Sequence, residues 1–465
     1  MTGGPQELVE QVLGLSTADG CVAIVEEAGS ANLRWASNTL TTNGVSRSRE
    51  VVVIATVDGA QGTSAAVLAQ SNPDPAALAD LVRRAEEAAR RNEPAEDAMP
   101  LVTSAEAGPA GEWDADPDGT EIGVLAGVAS GLGRAFSRAH EADRRLFGFA
   151  EHRVSTVYLG TSTGLRLRHA QPTGRLEINA KSSDYSSSAW AGVATRDFRD
   201  VNVEALDAAL STRLGWARRR IELPADRYEV VLPPSAVADL MINAYWSTAG
   251  RDAAEGRSAF SAPGGRTRLG EKLTDLPVTL RSDPATAGLE CRPFQLAASS
   301  DSTSSVFDNG LAITGTDWIR DGVLTNLMHT RWSATKFGGA AATPGADNLI
   351  MSVSSPSGDL EDLIARTRRG LLLTCLWYIR EVDPQSLLLT GLTRDGVYLV
   401  EDGEVVGAVN NFRFNESPVD LLGRLIEVGR STPSLPREWA DWFTRASMPP
   451  ARVAEFNMSS VSAAT

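Results

Sequence analysis

The spacing of apolar positions changes along this chain. Leu8, Val9, Val12 and Leu13 recur at helical intervals between Glu7 and Leu15. Short β-branched runs follow, predicting strands at Cys21–Glu26, Leu33–Ala36 and Val51–Val57. A helical period returns from Asp74 to Arg91, where Leu78, Leu81, Val82 and Ala85 oppose Arg83, Arg84, Glu86 and Glu87. The stretch from Asn92 to about Thr120 turns rich in Pro, Gly, Ala and acid, which predicts a surface connector. A helix over Glu121–Ala142 comes next. Strands are then predicted at Leu146–Val157, Leu165–Ala170, Leu176–Lys181 and Ala189–Thr195, with Gly160, Gly164, Gly174 and Ser186–Ser188 in the turns between them. Val203–Arg220 reads as another helix.

Beyond Pro224 the pattern is mostly strand and turn. Tyr228–Leu232 is a strand, and Ser235–Trp246 a helix started by Pro234. Asn309-Gly310, Asp321-Gly322, Asp395-Gly396 and Asp402-Gly403 are hairpin-type dipeptides, since type I′ turns need positive φ at both central residues. The strongest is Asp402-Gly403, between strands Val397–Glu401 and Glu404–Val409. Helices are expected near Leu360–Arg369 and Val419–Arg430, and the final segment places Trp439, Trp442 and Phe443 to dock on the body. The pattern divides the chain into an N-terminal α/β subdomain (1–95), a middle α/β subdomain with antiparallel strands (96–223) and a mostly β C-terminal domain (224–465). The fold class is α/β (α+β).

A chain of 465 residues exceeds what one core usually organises, in keeping with that division. The net charge of −15 argues against nucleic acid or an anionic membrane as partner. No apolar run reaches the length of a bilayer span, and the N-terminus lacks a basic then apolar leader, so a cytoplasmic protein is expected. Three widely spaced cysteines, Cys21, Cys291 and Cys375, fit a reducing compartment.

Candidate chemistry is sparse. The four histidines, His140, His152, His169 and His329, are scattered, and His140-Glu141 is followed by no second His at HExxH or HExxxH spacing. There is no GxSxG elbow and no phosphate-binding glycine loop. Cys375 reads as an inert core thiol, Cys291 as the more exposed one. The acid pairs Glu26-Glu27 and Glu361-Asp362 read as solvated charge in turns or on polar helix faces, and Lys336–Gly339 as a flexible loop.

Several segments together resemble the TldD/PmbA family of peptidases: Arg34–Val53 (RWASNTLTTNGVSRSREVVV), then DWIRDGVLTNLMHTRWSATKFG, Ala346–Met351, and GVYLVEDGEVVGAVNNFRFNESP, in the family's order. The resemblance implies a two-lobed fold, with an N-terminal α/β lobe and a C-terminal lobe rich in antiparallel sheet. It further implies a dimer enclosing a chamber, where an extended peptide is held as an added β-strand and cut by zinc. The implied zinc site uses an HExxxH helix and a later cysteine. Here the corresponding helix, SAVADLMINAYW, has neither His nor Glu. The chain therefore resembles the metal-free TldE (PmbA) type, with no catalytic or metal residues of its own and zinc expected in a TldD-type partner. Polar residues in loops beside strands, Arg331, Lys336, Arg380, Asn411 and Arg413, are candidates for a peptide groove. The alternatives are a homodimeric peptide-binding scaffold and an independent hydrolase using Cys291 or a carboxylate pair.

Overall fold

The computed structural model describes residues 3–462, apart from residue 340 and the side chain of residue 75. The chain begins with helix α1 (Pro5–Leu15), three strands β1 (Gly20–Ala36), β2 (Thr39–Gly59) and β3 (Gly62–Ser71), and helix α2 (Leu78–Arg91). After the connector come helix α3 (Ala126–Glu141), strands β4 (Arg144–Thr161), β5 (Arg166–Ser182) and β6 (Ser188–Thr195), and helix α4 (Val203–Trp216). These six strands form one sheet in the order β3-β2-β1-β4-β5-β6, so the connector joins two halves of one sheet.

The strands are longer than the apolar pattern predicts. The segments foreseen at Cys21–Glu26 and Leu33–Ala36 are one strand of 17 residues, and Leu165–Ala170 and Leu176–Lys181 are likewise continuous. Their polar middles stay in the sheet because β1 is paired on both edges, with β2 and β4, and β5 is paired with β4 along its whole length. Gly160 and Gly174 consequently lie within strands rather than in turns. A Cβ on Gly160 would stand 2.4 Å from Val9, and one on Gly174 2.8 Å from Thr195. Close packing, not a turn, requires glycine there.

Side-chain alternation then places the helices. Cys21, Ala23 and Val25, with Val51, Val53 and Ala55, pack under α1 and α2, while Ala31, Leu33 and Trp35 pack under α3 and α4. The opposite face, Val22, Ile24, Val52, Ile54, Val157 and Leu159, is covered by Phe294, Val306 and Phe307 from the C-terminal part. The two parts thus share a core.

The remainder contains β7 (Arg220–Ile221), β8 (Arg227–Leu232), α5 (Pro234–Trp246), α6 (Gly250–Ala254), β9 (Ser261–Ala262), β10 (Arg266–Thr267), β11 (Val278–Ser282), β12 (Thr316–Arg320), β13 (Val323–Leu324), α7 (Arg331–Phe337) and β14 (Leu349–Val353). Then follow α8 (Leu360–Ala365), β15 (Arg369–Leu373), β16 (Leu376–Asp383), β17 (Leu388–Thr393), β18 (Val397–Glu401), β19 (Glu404–Val409), β20 (Phe412–Glu416), α9 (Pro418–Leu422), β21 (Leu425–Val428), β22 (Thr432–Ser434), β23 (Ala446–Met448) and β24 (Ala451–Val461). One sheet runs β13-β12-β11-β14-β23-β22. The larger runs β16-β17-β20-β24-β8-β15-β18-β19-β7, with β21 also on β24. Pairing is mostly antiparallel, with parallel exceptions at β8–β15, β14–β23 and β7–β19. Helix α5 is buried in the core that these sheets share.

The Asp402-Gly403 hairpin has the predicted strands, with φ of 49° and 85° at its turn, and Asp321-Gly322 (49°, 82°) joins β12 to β13. The other two dipeptides are not hairpins. Asn309-Gly310 follows a 3-10 turn over Val306–Asp308. Asp395-Gly396 has positive φ at both residues but passes the chain from β17 to β18, which pair with different neighbours. The helix expected over Val419–Arg430 stops at Leu422 and continues as β21, because the edge of β24 recruits Leu425–Val428. The helix expected over Leu360–Arg369 similarly yields to β15, and that over Val203–Arg220 ends at Trp216.

Gly403 tests this turn directly. A Cβ there would stand 2.5 Å from the Ala365 carbonyl oxygen on top of its positive φ. Gly403→Ala is expected to cost about 1–3 kcal/mol in urea unfolding. Gly44→Ala, with open space around its Cβ, should leave stability within about 0.5 kcal/mol.

Candidate functional site

Helix α5 stands where the sequence resemblance expects metal ligands. Its turns are apolar on nearly every side: Ala236, Val237, Ala238, Leu240, Met241, Ile242, Ala244 and Tyr245 are all buried. Pro234 at the first helical position suits a helix start, where no amide partner is lost. The one carboxylate, Asp239, is fully buried. Its Oδ1 accepts the Glu438 amide at 2.9 Å and its Oδ2 the Arg437 amide at 3.2 Å. Its own carbonyl accepts the Trp439 indole N–H at 2.9 Å. Burial pushes the Asp239 pKa well above the ordinary carboxylate value, opposed by the two amide hydrogen bonds. The carboxylate is spent on the backbone of 437–438, and the aromatic terminus docks here: Trp439 packs edge-on against Trp246, and Phe443 against Tyr245 and Trp246. Trp442, expected to dock with them, is 80% exposed.

These donors do not suit zinc. A zinc centre needs three or more His, Cys or carboxylate ligands converging on one point. Among the described residues no three such side chains come together. His152 sits between Thr120 Oγ1 (2.6 Å) and the Arg196 carbonyl (2.9 Å). His169 on β5 meets Gln171 Oε1 at 3.0 Å, and His329 meets Ser333 Oγ at 3.1 Å. The His329 ring lies against Gly250, where a Cβ would come within 2.1 Å. Burial lowers the pKa of all three, keeping them neutral near pH 7.

The thiols are equally inert. Cys291, expected to be exposed, is buried, and burial pushes its pKa to about 12. Cys21 is pushed to about 11 and Cys375 well above the ordinary thiol. A nucleophilic cysteine requires a lowered pKa and access. The pair Glu26-Glu27 lies on β1 rather than in a turn, where Arg153 and Arg49 neutralise it.

The five groove candidates do not converge. Arg331 is a largely buried strut: its Nε donates to Asp308 Oδ1 at 2.7 Å and its guanidinium reaches the Phe307 and Pro100 carbonyls and Glu106. Lys336, on the same helix, pairs with Glu96 at 2.7 Å and lies 4.3 Å from the Trp332 ring centroid. The predicted flexible loop at Lys336–Gly339 is instead the end of α7, with Gly338 left-handed at its cap. Arg380 lies on edge strand β16 and pairs with Glu438 at 2.9 Å. Arg413 on β20 reaches Thr390 Oγ1 at 3.2 Å. Asn411 lines a cleft between the β5–β6 turn and the β18–β19 hairpin. A second cleft, of about 370 Å³, runs between β5, β6 and Arg445, and His169 lines it. Sequence reading passed over Arg437, which links the C-terminal segment to the N-terminal sheet. Its guanidinium lies 4.0 Å from the Trp377 ring centroid and 5.3 Å from that of Trp190, and pairs with Glu177 of β5 at 2.9 Å. Only its position five residues before Trp442 hinted at this.

Residues 225–460 match the family model described as PmbA/TldA metallopeptidase C-terminal domain, and residues 21–89 match that of PmbA/TldA metallopeptidase domain 1. The chain belongs to the TldD/PmbA family. A protein of Archaeoglobus fulgidus named "Metalloprotease" is 26% identical over 171 residues, which span 35% of this chain and 37% of that protein. The fold is that of TldE from Thermococcus kodakarensis (TM-score 0.74, 16% identity, 97% of this chain and 99% of that one). It is equally that of a protein from Bacteroides thetaiotaomicron titled a putative modulator of DNA gyrase (TM-score 0.75, 14% identity, 98% of each chain). The two-lobed α+β architecture of this family is thus the architecture of this chain.

Two outcomes follow. Asp239→Ala leaves two buried amides unpaired and should destabilise by about 2–4 kcal/mol, read by urea unfolding with tryptophan fluorescence, while Asp239→Asn should cost less. Because the three histidines have folded pKa values below about 6.5, their stabilising contribution is present above that pH and lost as pH falls through the folded values. The urea midpoint should therefore decline from pH 7 to pH 5, and less steeply in His152→Gln.

Proposed function

We propose that this chain is the metal-free, TldE-type subunit of a two-chain zinc peptidase. A TldD-type paralogue carries the zinc and performs hydrolysis. This chain supplies sheet edges, chamber wall and grip for an unfolded or extended peptide. The observation that carries the proposal is α5, whose only carboxylate is committed to backbone amides in a family described as metallopeptidases. Zinc lowers the pKa of its bound water and polarises the scissile carbonyl, and neither effect is available without ligands to hold it. That one structural neighbour is TldE of Thermococcus kodakarensis, and one relative is named a metalloprotease, supports the same reading.

Holding a peptide as an added strand requires an open edge more than particular side chains. Two edges are available. Strand β3 pairs with β2 only from Glu50 onward and Asn72 caps Arg49, leaving the outer edge of Thr39–Ser48 without a strand partner. At the other end, β7 terminates the larger sheet. Edge β16 is less suitable, since two register shifts and the Glu438 contact to the Tyr378 amide interrupt it. Among the described residues no helix is long and apolar enough to cross a membrane. We place the protein in the cytoplasm, in keeping with three free cysteines.

Co-expression with a TldD-type paralogue should yield a one-to-one complex by light scattering, with chelator-sensitive cleavage of an unfolded polypeptide that this chain alone lacks. A self-dimer that ignores the paralogue would favour the scaffold reading, and chelator-resistant cleavage by the isolated chain would overturn the proposal.

A further inference from the structure

A cleft of about 370 Å³ opens beside β7, between the turn after β5 and the β18–β19 hairpin. Three of its lining groups have unused hydrogen-bond donors. Tyr398 is 1% exposed, its ring fixed edge-on against Trp216 with centroids 5.1 Å apart, and its hydroxyl has no hydrogen-bond partner. Asn410 accepts the Leu223 amide through Oδ1 at 2.8 Å, which orients its Nδ2 as a buried donor without a partner. Lys181 lies 5.8 Å from the Tyr185 ring centroid and 6.0 Å from that of Phe147, and no ion pair to it is found among the described residues. Leaving buried donors unpaired is costly, so such groups usually mark a partner. Arg220 on the rim is already engaged with Ser186 and Ser187. Two carboxylates also line it: Asp395, buried with Arg394 at 3.7 Å, offers an acceptor, and Glu222 is exposed at the rim.

Donors that face one cleft select an acceptor-rich, anionic ligand. The arrangement of an ammonium, an amide N–H and a phenol beside the buried Asp395 acceptor, with Glu222 at the exposed rim, matches an extended peptide segment bearing a carboxylate and presenting main-chain N–H groups. We propose that this cleft anchors a peptide carboxylate on Lys181, with Asn410 Nδ2 and Tyr398 Oη donating to the carboxylate or the adjoining carbonyl and Asp395 accepting a main-chain N–H. The inference rests on the reading that the chain handles extended peptides. It gives that function an anchor beside the β7 edge. The carboxylate belongs either to the chain terminus or to an acidic side chain.

Binding to the full-length chain, without any paralogue, tests the anchor separately from pairing and hydrolysis. The probes are fluorescein-labelled hexa-alanine with a free C-terminus, its C-terminal amide, and the amide carrying one internal glutamate, followed by anisotropy. The free acid should bind at least about tenfold more tightly than the plain amide, the size expected for one charge-assisted hydrogen bond. Lys181→Met should abolish that preference. Tyr398→Phe, which keeps the ring packing, should weaken the free acid roughly five- to tenfold with an unchanged melting temperature. If the glutamate-bearing amide binds as tightly as the free acid, the anchor reads a side-chain carboxylate. If only the free acid binds, it reads the chain end. Equal binding of acid and plain amide, no binding of any probe, or indifference to both substitutions would overturn the proposal.

Discussion

A single buried carboxylate joins the core helix of this protein to its aromatic C-terminal segment. Asp239 sits inside a helix with no exposed polar face, and its two oxygens are taken up by successive backbone amides of residues 437 and 438. An isolated charge could not persist at full burial. The acceptor role is what makes the position tolerable. The clasp has reach beyond the helix. It sets the direction of Arg437, whose guanidinium sits against Trp377 and Trp190 and pairs with Glu177 on the N-terminal sheet. One helix position thereby ties the aromatic C-terminal segment to the seam between the lobes.

The same economy recurs along that seam. Arg331 bonds Asp308, two backbone carbonyls and Glu106, and Arg445 donates to the Asp347 carbonyl and Thr173 of β5. The Asp308 carboxyl is pushed up by burial and pulled back by Arg331. Removing one partner of such a pair would strand the other charge, so these arginines act as struts whose loss would be felt as instability. Polar residues beside strands, Arg331, Lys336, Arg380 and Arg413 among them, are engaged in ion pairs or hydrogen bonds within the fold. The cleft beside β7 differs because Tyr398, Asn410 and Lys181 retain donors that the fold itself does not use.

Much of the architecture is legible in the chain. Helices α1, α2, α3 and α5 follow from apolar period and from prolines at their starts, and the hairpin at Asp402-Gly403 follows from turn chemistry alone. Strand lengths were hidden, since the polar middle of β1 is fixed by pairing on both sides and that of β5 by pairing with β4, rather than by their own pattern. The last strand, β24, was hidden for the same reason. ARVAEFNMSSV alternates imperfectly and bends at Glu455, whose φ is 54°, yet it lies in the middle of the larger sheet between β20 and β8. The absence of His and Glu from α5 was visible, but not the use to which Asp239 is put, because its partners lie about two hundred residues away. Cys291 misled because a Glu and an Arg flank a thiol that tertiary packing buries.

The direct test is metal stoichiometry. The chain is purified alone, exposed to excess zinc, desalted, and measured by atomic mass spectrometry against protein concentration. Retention of far less than one zinc per chain is the expected result, with Asp239→Ala no different. One tightly held zinc per chain would contradict the assignment of this chain as the subunit that leaves the chemistry to another.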